Sequence, residues 1–237
     1  MTDHNPIKLS VIVPVYNEKH TVEAIIEKVR KVNIPKEIIV VDNCSTDGTQ
    51  EILKKLEGID KTIFQTKNMG KGHSLRTAFP QIRGEYMLIQ DGDLEYDPND
   101  FYAILEKAEK LSADAVYGSR VLQGIRTRYI TYYWGAASLT LLTNLLYGSR
   151  LTDIATTYKL VRTSVLAKLK FDCDGFDFDF ELTTKLLRAG VEIQEVPIWY
   201  NPRTFAEGKK VRPIDWFKNV RVIFRDRFAR IEVNGKV

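Results

Sequence analysis

The sequence predicts an α/β fold: a mainly parallel β-sheet flanked by helices, with amphipathic helices toward the C-terminus. Three observations carry this. Short apolar runs alternate with segments of helical periodicity through the first half of the chain. The runs are apolar at consecutive positions, as in strands covered on both faces. Each run ends in polar sequence rich in Asp, Asn, Gly, Lys and Arg, and in such sheets ligands bind beyond the C-terminal ends of the strands.

The first strand is "LSVIVPVY" (9–16). "TVEAIIEKVRKV" (21–32) is apolar at 22, 25, 26, 29 and 32, one stripe of a helix. "EIIVVD" (37–42) is a second buried strand, and "STDGTQEILKKL" (45–56) a turn running into a helix. "KTIFQ" (61–65) is a third strand, and "GHSLRTAFPQI" (72–82) a short helix with a late proline. "EYMLIQ" (85–90) is a fourth strand. "DPNDFYAILEKAEK" (97–110) is a helix with Pro98 and Asp100 near its start, where caps belong. "ADAVYGS" (113–119) is a fifth strand. The second half is less regular. "LTDIATTYKLVRTSVLAKL" (151–169) has no assigned element, a helix is expected over 178–188, and "VEIQEVPIWY" (191–200) is another strand.

The chain has 237 residues, 44% apolar and 28% charged, with a net charge of +4. That composition fits a soluble globular protein with a sizeable core. The near-balanced charge, with acids at a strand end, argues against a nucleic-acid binder. Cys44 and Cys173 are too few for a disulfide framework and suit a reducing compartment. No basic-then-apolar leader opens the chain, so a cytoplasmic location is expected. Residues 129–149 carry no charge, but their Thr, Ser, Asn, Gly and Tyr content favours a buried or interfacial helix over a bilayer span.

The strand ends hold the chemistry. "QDGDLEYDP" (90–98) sets Asp91 and Asp93 at i and i+2 just beyond a strand, where both carboxylates can address one Mg²⁺ or Mn²⁺. Glu95 could add a third oxygen, or belong with Asp97 to a solvated turn before the helix. Asp42 ends the second strand, placed either to accept from a nucleobase N–H or to cap the next helix. "NMGKG" (68–72) puts Lys71 between glycines ahead of a helix, a turn that can offer N–H groups and a point charge to phosphate. Arg120, Arg126 and Arg128 follow the fifth strand, and "RTFAEGKKVR" (203–212) is a basic segment that could grip phosphate or be solvated surface. In 214–231, Phe217, Val220, Phe224 and Phe228 recur at helical spacing beside Lys218, Arg221 and Arg225. Such a helix either lies on an anionic membrane or packs its apolar stripe on the domain.

Together "VIVPVYNE" (11–18), "IIVVDNCSTDGT" (38–49), "NMGKG" (68–72), "QDGDLEYDP" (90–98), "YGSR" (117–120), "LTDIATTYKLVR" (151–162) and "VPIWYNPRTFAEGKK" (196–210) resemble the family 2 glycosyltransferases of GT-A fold. Within these the chain is most similar to the polyprenyl (dolichyl) phosphate sugar synthases. The resemblance implies a catalytic domain over 1–212, with a donor half at about 7–118, an acceptor half at about 119–212, and a membrane-associating helix in 213–237. It implies that Pro14, Tyr16, Glu18, Asp42, Lys71, Asp91 and Gly92 hold a nucleotide-sugar donor. Asp91, Asp93 and Glu95 would hold the metal. Arg120, Arg126, Arg128, Arg203 and Lys209 would meet the acceptor phosphate, with Asp93, Arg120 and Arg203 catalytic. The protein would sit peripherally on the cytoplasmic face of a membrane. This sequence departs from the family's pattern in Glu95, in the "EGKK" loop and in "DIATTYK", which bear on the identity of the sugar.

A phosphate monoester has a second pKa of about 6, so it meets the donor as a dianion and needs no general base. A saccharide hydroxyl acceptor would need one, and Asp179 or Glu181 in "DFDFE" (177–181) could supply it. A nucleotidyltransferase would call for a longer Gly-rich loop after the first strand than "PVYNE" provides. A nucleotide-sugar binder without turnover would leave the paired acids and the basic loop unexplained.

Overall fold

A computed structural model describes residues 6–124, 130–203 and 213–229. Its strands are β1 (Leu9–Val15), β2 (Lys36–Asp42), β3 (Lys61–Phe64), β4 (Tyr86–Ile89), β5 (Ala115–Ser119), β6 (Lys159–Arg162) and β7 (Ile193–Pro197). Among the described residues they form one sheet in the order β3-β2-β1-β4-β6-β5-β7. Strands β1 to β4 pair in parallel, as do β5 and β7. Strand β6 runs antiparallel to both β4 and β5. Sequence reading left this strand inside 151–169 unassigned, because four residues flanked by charged ones carry little periodicity. Its direction matters for function: the segment leading into β6 arrives at the end of the sheet where the parallel strands finish.

The helices are α1 (Val22–Lys31), α2 (Thr49–Leu53), α3 (Lys71–Ala78), α4 (Asp100–Leu111), α5 (Ile130–Tyr147), α6 (Thr163–Leu166), α7 (Phe178–Arg188) and α8 (Pro213–Phe228). Alternate residues of each central strand pack into opposite layers, which is why the strands read as unbroken apolar runs. Val11, Val13, Ile38 and Val40 meet Ile25 and Ile26 of α1 and Phe101 and Ile104 of α4. Ile12, Ile39 and Val41 meet Leu75 of α3, Phe178 and Leu182 of α7 and Ile223 of α8. The helix expected over 72–82 stops at Ala78 and tightens into a 3₁₀ turn over Phe79–Gln81, since Pro80 cannot continue it. The turn and helix expected over 45–56 resolve into a loop and the short α2.

The start of α4 carries no side-chain cap. Asp97 closes the turn before it, its Oδ1 accepting from the Asn99 N–H at 3.0 Å. The Asp100 carboxylate accepts from the Trp199 N–H at 2.9 Å instead of capping. The uncharged segment forms α5, packed on α7 and α8. Among the described residues no helix is long and apolar enough to cross a membrane.

Candidate active site

The ends of β1 and β2 are laced together before any ligand is considered. The Asn17 N–H donates to Ser45 Oγ at 2.8 Å, the Glu18 N–H to Thr49 Oγ1 at 3.0 Å, and the Thr46 N–H to Asn17 Oδ1 at 2.8 Å. Tyr16 and Pro14 are half-buried in this corner. Asp42 lies at its floor, fully buried. Its Oδ2 accepts from the Ser45 N–H and from Gln50 Nε2 at 2.6 Å, while its Oδ1 is buried without a partner. One oxygen closes the turn after β2 and does not cap α2, whose start carries no side-chain cap, and the other has no hydrogen-bond partner. A buried acceptor left unpaired is costly, so a bound N–H here is rewarded.

Beyond β4, Asp91 and Asp93 come to the same place, as their spacing predicts. Asp91 Oδ1 is 3.0 Å from Lys71 Nζ, and its Oδ2 accepts from Thr157 Oγ1 at 2.6 Å. Burial opposes its ionisation, but Lys71 and the Thr157 hydroxyl outweigh that and hold the carboxyl below its usual range. Asp93 is buried and pairs with Arg203 Nη2 at 2.5 Å. Burial and the adjacent charge of Asp91 push it up to about 7. Gly92 fits between them because a Cβ there would lie 3.2 Å from Val15 Cγ2 and 3.5 Å from Glu18 Cγ.

Glu95 does not join the pair. Its Oε2 accepts from the Tyr200 hydroxyl at 2.9 Å and its Oε1 from the Arg203 N–H at 2.8 Å. It clamps the segment after β7 onto the acidic turn, a role that sequence spacing could not disclose. Among the described residues no three His, Cys, Asp or Glu side chains converge as a metal-ligand set. Asp91 and Asp93 nonetheless fit a hard divalent cation. They are paired oxygen donors at one strand end, their charges met here by Lys71 and Arg203. The remaining oxygens of such a cation come from substrate phosphates in sites of this kind.

Lys71 is buried at the start of α3, bound to Asp91 and also to Asp179 at 3.2 Å. Burial would lower its pKa, but the two carboxylates raise it. Four N–H groups in and just after "NMGKG" are taken by protein acceptors. The Met69 and Gly70 N–H groups donate to Asn43 and Asn68, and those of Gly72 and His73 to the Gly175 and Asp174 carbonyls. These glycines serve close packing: a Cβ on Gly72 would stand 2.4 Å from the Cys173 carbonyl oxygen.

Arg120, at the end of β5, forms a two-pronged pair with Asp153, Nε to Oδ2 at 2.6 Å and Nη2 to Oδ1 at 2.8 Å. It lies over the Tyr200 ring at 5.0 Å. Glu195 on β7 receives the Thr152 and Asp153 N–H groups and so fixes that partner. Arg203 reaches Glu18 at 3.0 Å as well as Asp93. Arg126, Arg128, Lys209 and Lys210 lie outside the described residues.

The two candidate bases part company. Glu181 is fully buried and accepts from the Asp172 and Cys173 N–H groups, with Lys185 and Arg225 also bound. Burial opposes its charge, and these donors hold it below the usual range. It faces away from the acidic turn. Asp179 does face the site, paired with Lys71, its Oδ1 buried without a hydrogen bond 3.8 Å from Lys159 Nζ. Lys159, fully buried, is pushed by that burial down to about 8. Asp153, Thr157, Lys159 and Tyr200 had no individual role in the sequence reading. A charge inside a short apolar run, as in "TYKLV", was the one available signal.

Known proteins similar to the chain include glycosyltransferases. The chain is 25% identical over 234 residues to Glycosyltransferase AglJ of Haloferax volcanii, covering 97% of this chain and 74% of that protein. It is 27% identical over 216 residues to the low-salt glycan biosynthesis hexosyltransferase Agl6 of the same organism. That match covers 88% of this chain and 51% of Agl6, so the chain spans about half of that relative. In fold it is similar to glucosyl-3-phosphoglycerate synthase from Mycobacterium tuberculosis, solved in complex with Mn²⁺, uridine diphosphate and glucosyl-3-phosphoglycerate. The TM-score is 0.70 at 19% identity, covering 95% of this chain and 81% of that one. The solved structure shows a shared fold, and none of these likenesses singles out the polyprenyl phosphate sugar synthases. The profile described as "Glycosyl transferase family 2" matches residues 10–170, two thirds of the sequence, and the chain belongs to that family.

Proposed function

We propose that this glycosyltransferase moves a hexose from a nucleotide-diphosphate sugar to a polyprenyl phosphate, with inversion at the anomeric carbon, on the cytoplasmic face of a membrane. The observation that carries the acceptor class is the state of the carboxylates. Glu181 is saturated by donors and Asp179 is bound to Lys71, which leaves both poorly placed to take a hydroxyl proton. A phosphate dianion needs no such base. Arg120, just beyond β5, and Arg203, in the segment after β7, are the cations suited to it. The word hexosyltransferase in the name of Agl6 supports the hexose.

The chain's own groups divide the work. Asp42 Oδ1 receives a nucleobase N–H in the corner built by Tyr16, Asn17 and Ser45. Asp91 and Asp93 hold the divalent cation, Mg²⁺ or Mn²⁺, which when bound offsets the charge developing on the departing nucleoside diphosphate. Arg203, which pairs with Asp93 and Glu18, would offer its charge to the acceptor phosphate. Arg120, kept in orientation by Asp153 and the Tyr200 ring, presents its remaining N–H groups to the same phosphate and sets it in line with the anomeric carbon. Lys71 keeps Asp91 ionised.

A second reading has an observation in its favour. The buried, unpartnered Oδ1 of Asp179 could serve a saccharide hydroxyl. A panel of GDP- and UDP-sugars with Mn²⁺ separates the readings, with short-chain polyprenyl phosphate, a saccharide and phosphoglycerate as acceptors. The expected result is transfer to the lipid phosphate, lost in Asp93→Asn and largely kept in Asp179→Asn. Transfer to the saccharide, lost in Asp179→Asn, overturns the acceptor assignment. Donor binding without turnover of any acceptor makes the protein a binder.

A further inference from the structure

We propose that the outward face of α8 is a docking surface for an anionic lipid bilayer. The periodic stripe of this helix could have packed on the domain, but Val220 alone of its four residues does so. The side chains turned inward are Asn219, Val222, Ile223 and Asp226, none more than 6% exposed. The opposite face carries Ile214, Phe217, Phe224 and Phe228, exposed by 57%, 65%, 42% and 74%. Two polar residues inside and four large apolar ones outside reverse the usual pattern of a surface helix. The orientation is held firmly. Asp226 accepts from Thr184 Oγ1 at 2.6 Å, the Ile223 carbonyl from the Tyr147 hydroxyl at 2.8 Å, and Ser138 Oγ from Trp216 Nε1 at 3.1 Å.

Charge decides the occupant. Arg221 stands within the apolar stripe, at the helical spacing between Phe217 and Phe224, and Lys218 lies beside it; both are exposed. Aromatic side chains flanked by exposed cations match the boundary between acyl chains and anionic headgroups. The centre of a protein–protein interface is instead depleted in lysine. The neighbouring α5 adds exposed Trp134, Leu141 and Leu145. The proposal rests on the lipid-acceptor reading in one respect: an enzyme that acts on a lipid phosphate must meet a bilayer.

The test is co-sedimentation of the full chain with phosphatidylcholine vesicles, with and without phosphatidylglycerol and free of polyprenyl phosphate. Wild type is compared with the triple variant Phe217→Ser, Phe224→Ser, Phe228→Ser and with Arg221→Glu. The expected result is binding to the anionic vesicles, weakened at least about tenfold in the triple variant and also reduced in Arg221→Glu. The triple variant should keep the wild-type melting temperature and turnover with a soluble short-chain acceptor, since none of its substitutions touches the core. Equal binding by wild type and the triple variant overturns the proposal. So does an absence of wild-type binding, or a wild-type dimer that the triple variant dissolves. Vesicle binding without transfer to lipid phosphate would leave this surface standing and remove the acceptor reading. Transfer to the soluble acceptor without vesicle binding would do the reverse.

Discussion

Asp93 lies buried between the charge of Asp91 and the guanidinium of Arg203, and its carboxyl titrates near 7 instead of 3.8. The folded protein therefore holds this proton more tightly than the unfolded chain does. The stability this lends is complete below about pH 3.8 and is lost as pH rises through about 7. In metal-free thermal melts, Asp93→Asn is expected to gain on wild type as pH rises from about 5 to about 8. A difference that stays flat with pH would contradict the raised value. Added Mn²⁺ should stabilise wild type and leave the variant unmoved. Lys71 is the complementary residue. Lys71→Met leaves the buried Asp179 and the partly exposed Asp91 without their shared cation, and urea unfolding should show a loss below the about 3–5 kcal/mol of a fully buried pair but above about 1 kcal/mol. A loss under about 1 kcal/mol would mean that water or a rearranged Lys159 compensates them. The sequence announced Asp91 and Asp93 because their partnership is local. It could not announce the partners of Glu95 or Lys71, which come from Tyr200, Arg203 and Asp179, far along the chain.

Among the elements, α3 shows what motif reading misses. Glycines around a lysine before a helix suggest phosphate binding, but here they let α3 approach the loop before α7. A Cβ on Gly72 would fall 2.4 Å from the Cys173 carbonyl oxygen and 2.7 Å from Phe178 Cβ. Neither neighbour is the end of a flexible chain. Gly72→Ala is therefore expected to cost about 1–3 kcal/mol in chemical denaturation, through overpacking. Unchanged stability would show that the two elements part easily. Strand β6 was illegible for the opposite reason: four residues are too few to establish a period. Helix α8 was legible as a helix, but not in its orientation. Periodicity finds a stripe, and only the contacts of Val222, Ile223 and Asp226 decide which side meets the core.

At the scale of the whole molecule, the sheet and its two covered faces were legible because both-sided burial writes itself as continuous apolar runs in Val11–Val13 and Ile38–Val41. The site was legible in outline because parallel strands end together, which gathers Asp42, Asp91, Asp93 and Arg120 at one edge. The acceptor side depends on the antiparallel β6 and on the segment after β7, and long-range pairing of that kind leaves no local pattern. The central claim is that a phosphate oxygen of the acceptor becomes bonded to the sugar. The most direct measurement is a ³¹P spectrum of a short-chain polyprenyl phosphate incubated with the enzyme, Mn²⁺ and the preferred nucleotide sugar. The predicted result is replacement of the phosphomonoester resonance, which titrates near pH ~6, by a phosphodiester resonance that does not. Consumption of the donor with the monoester resonance unchanged would contradict it.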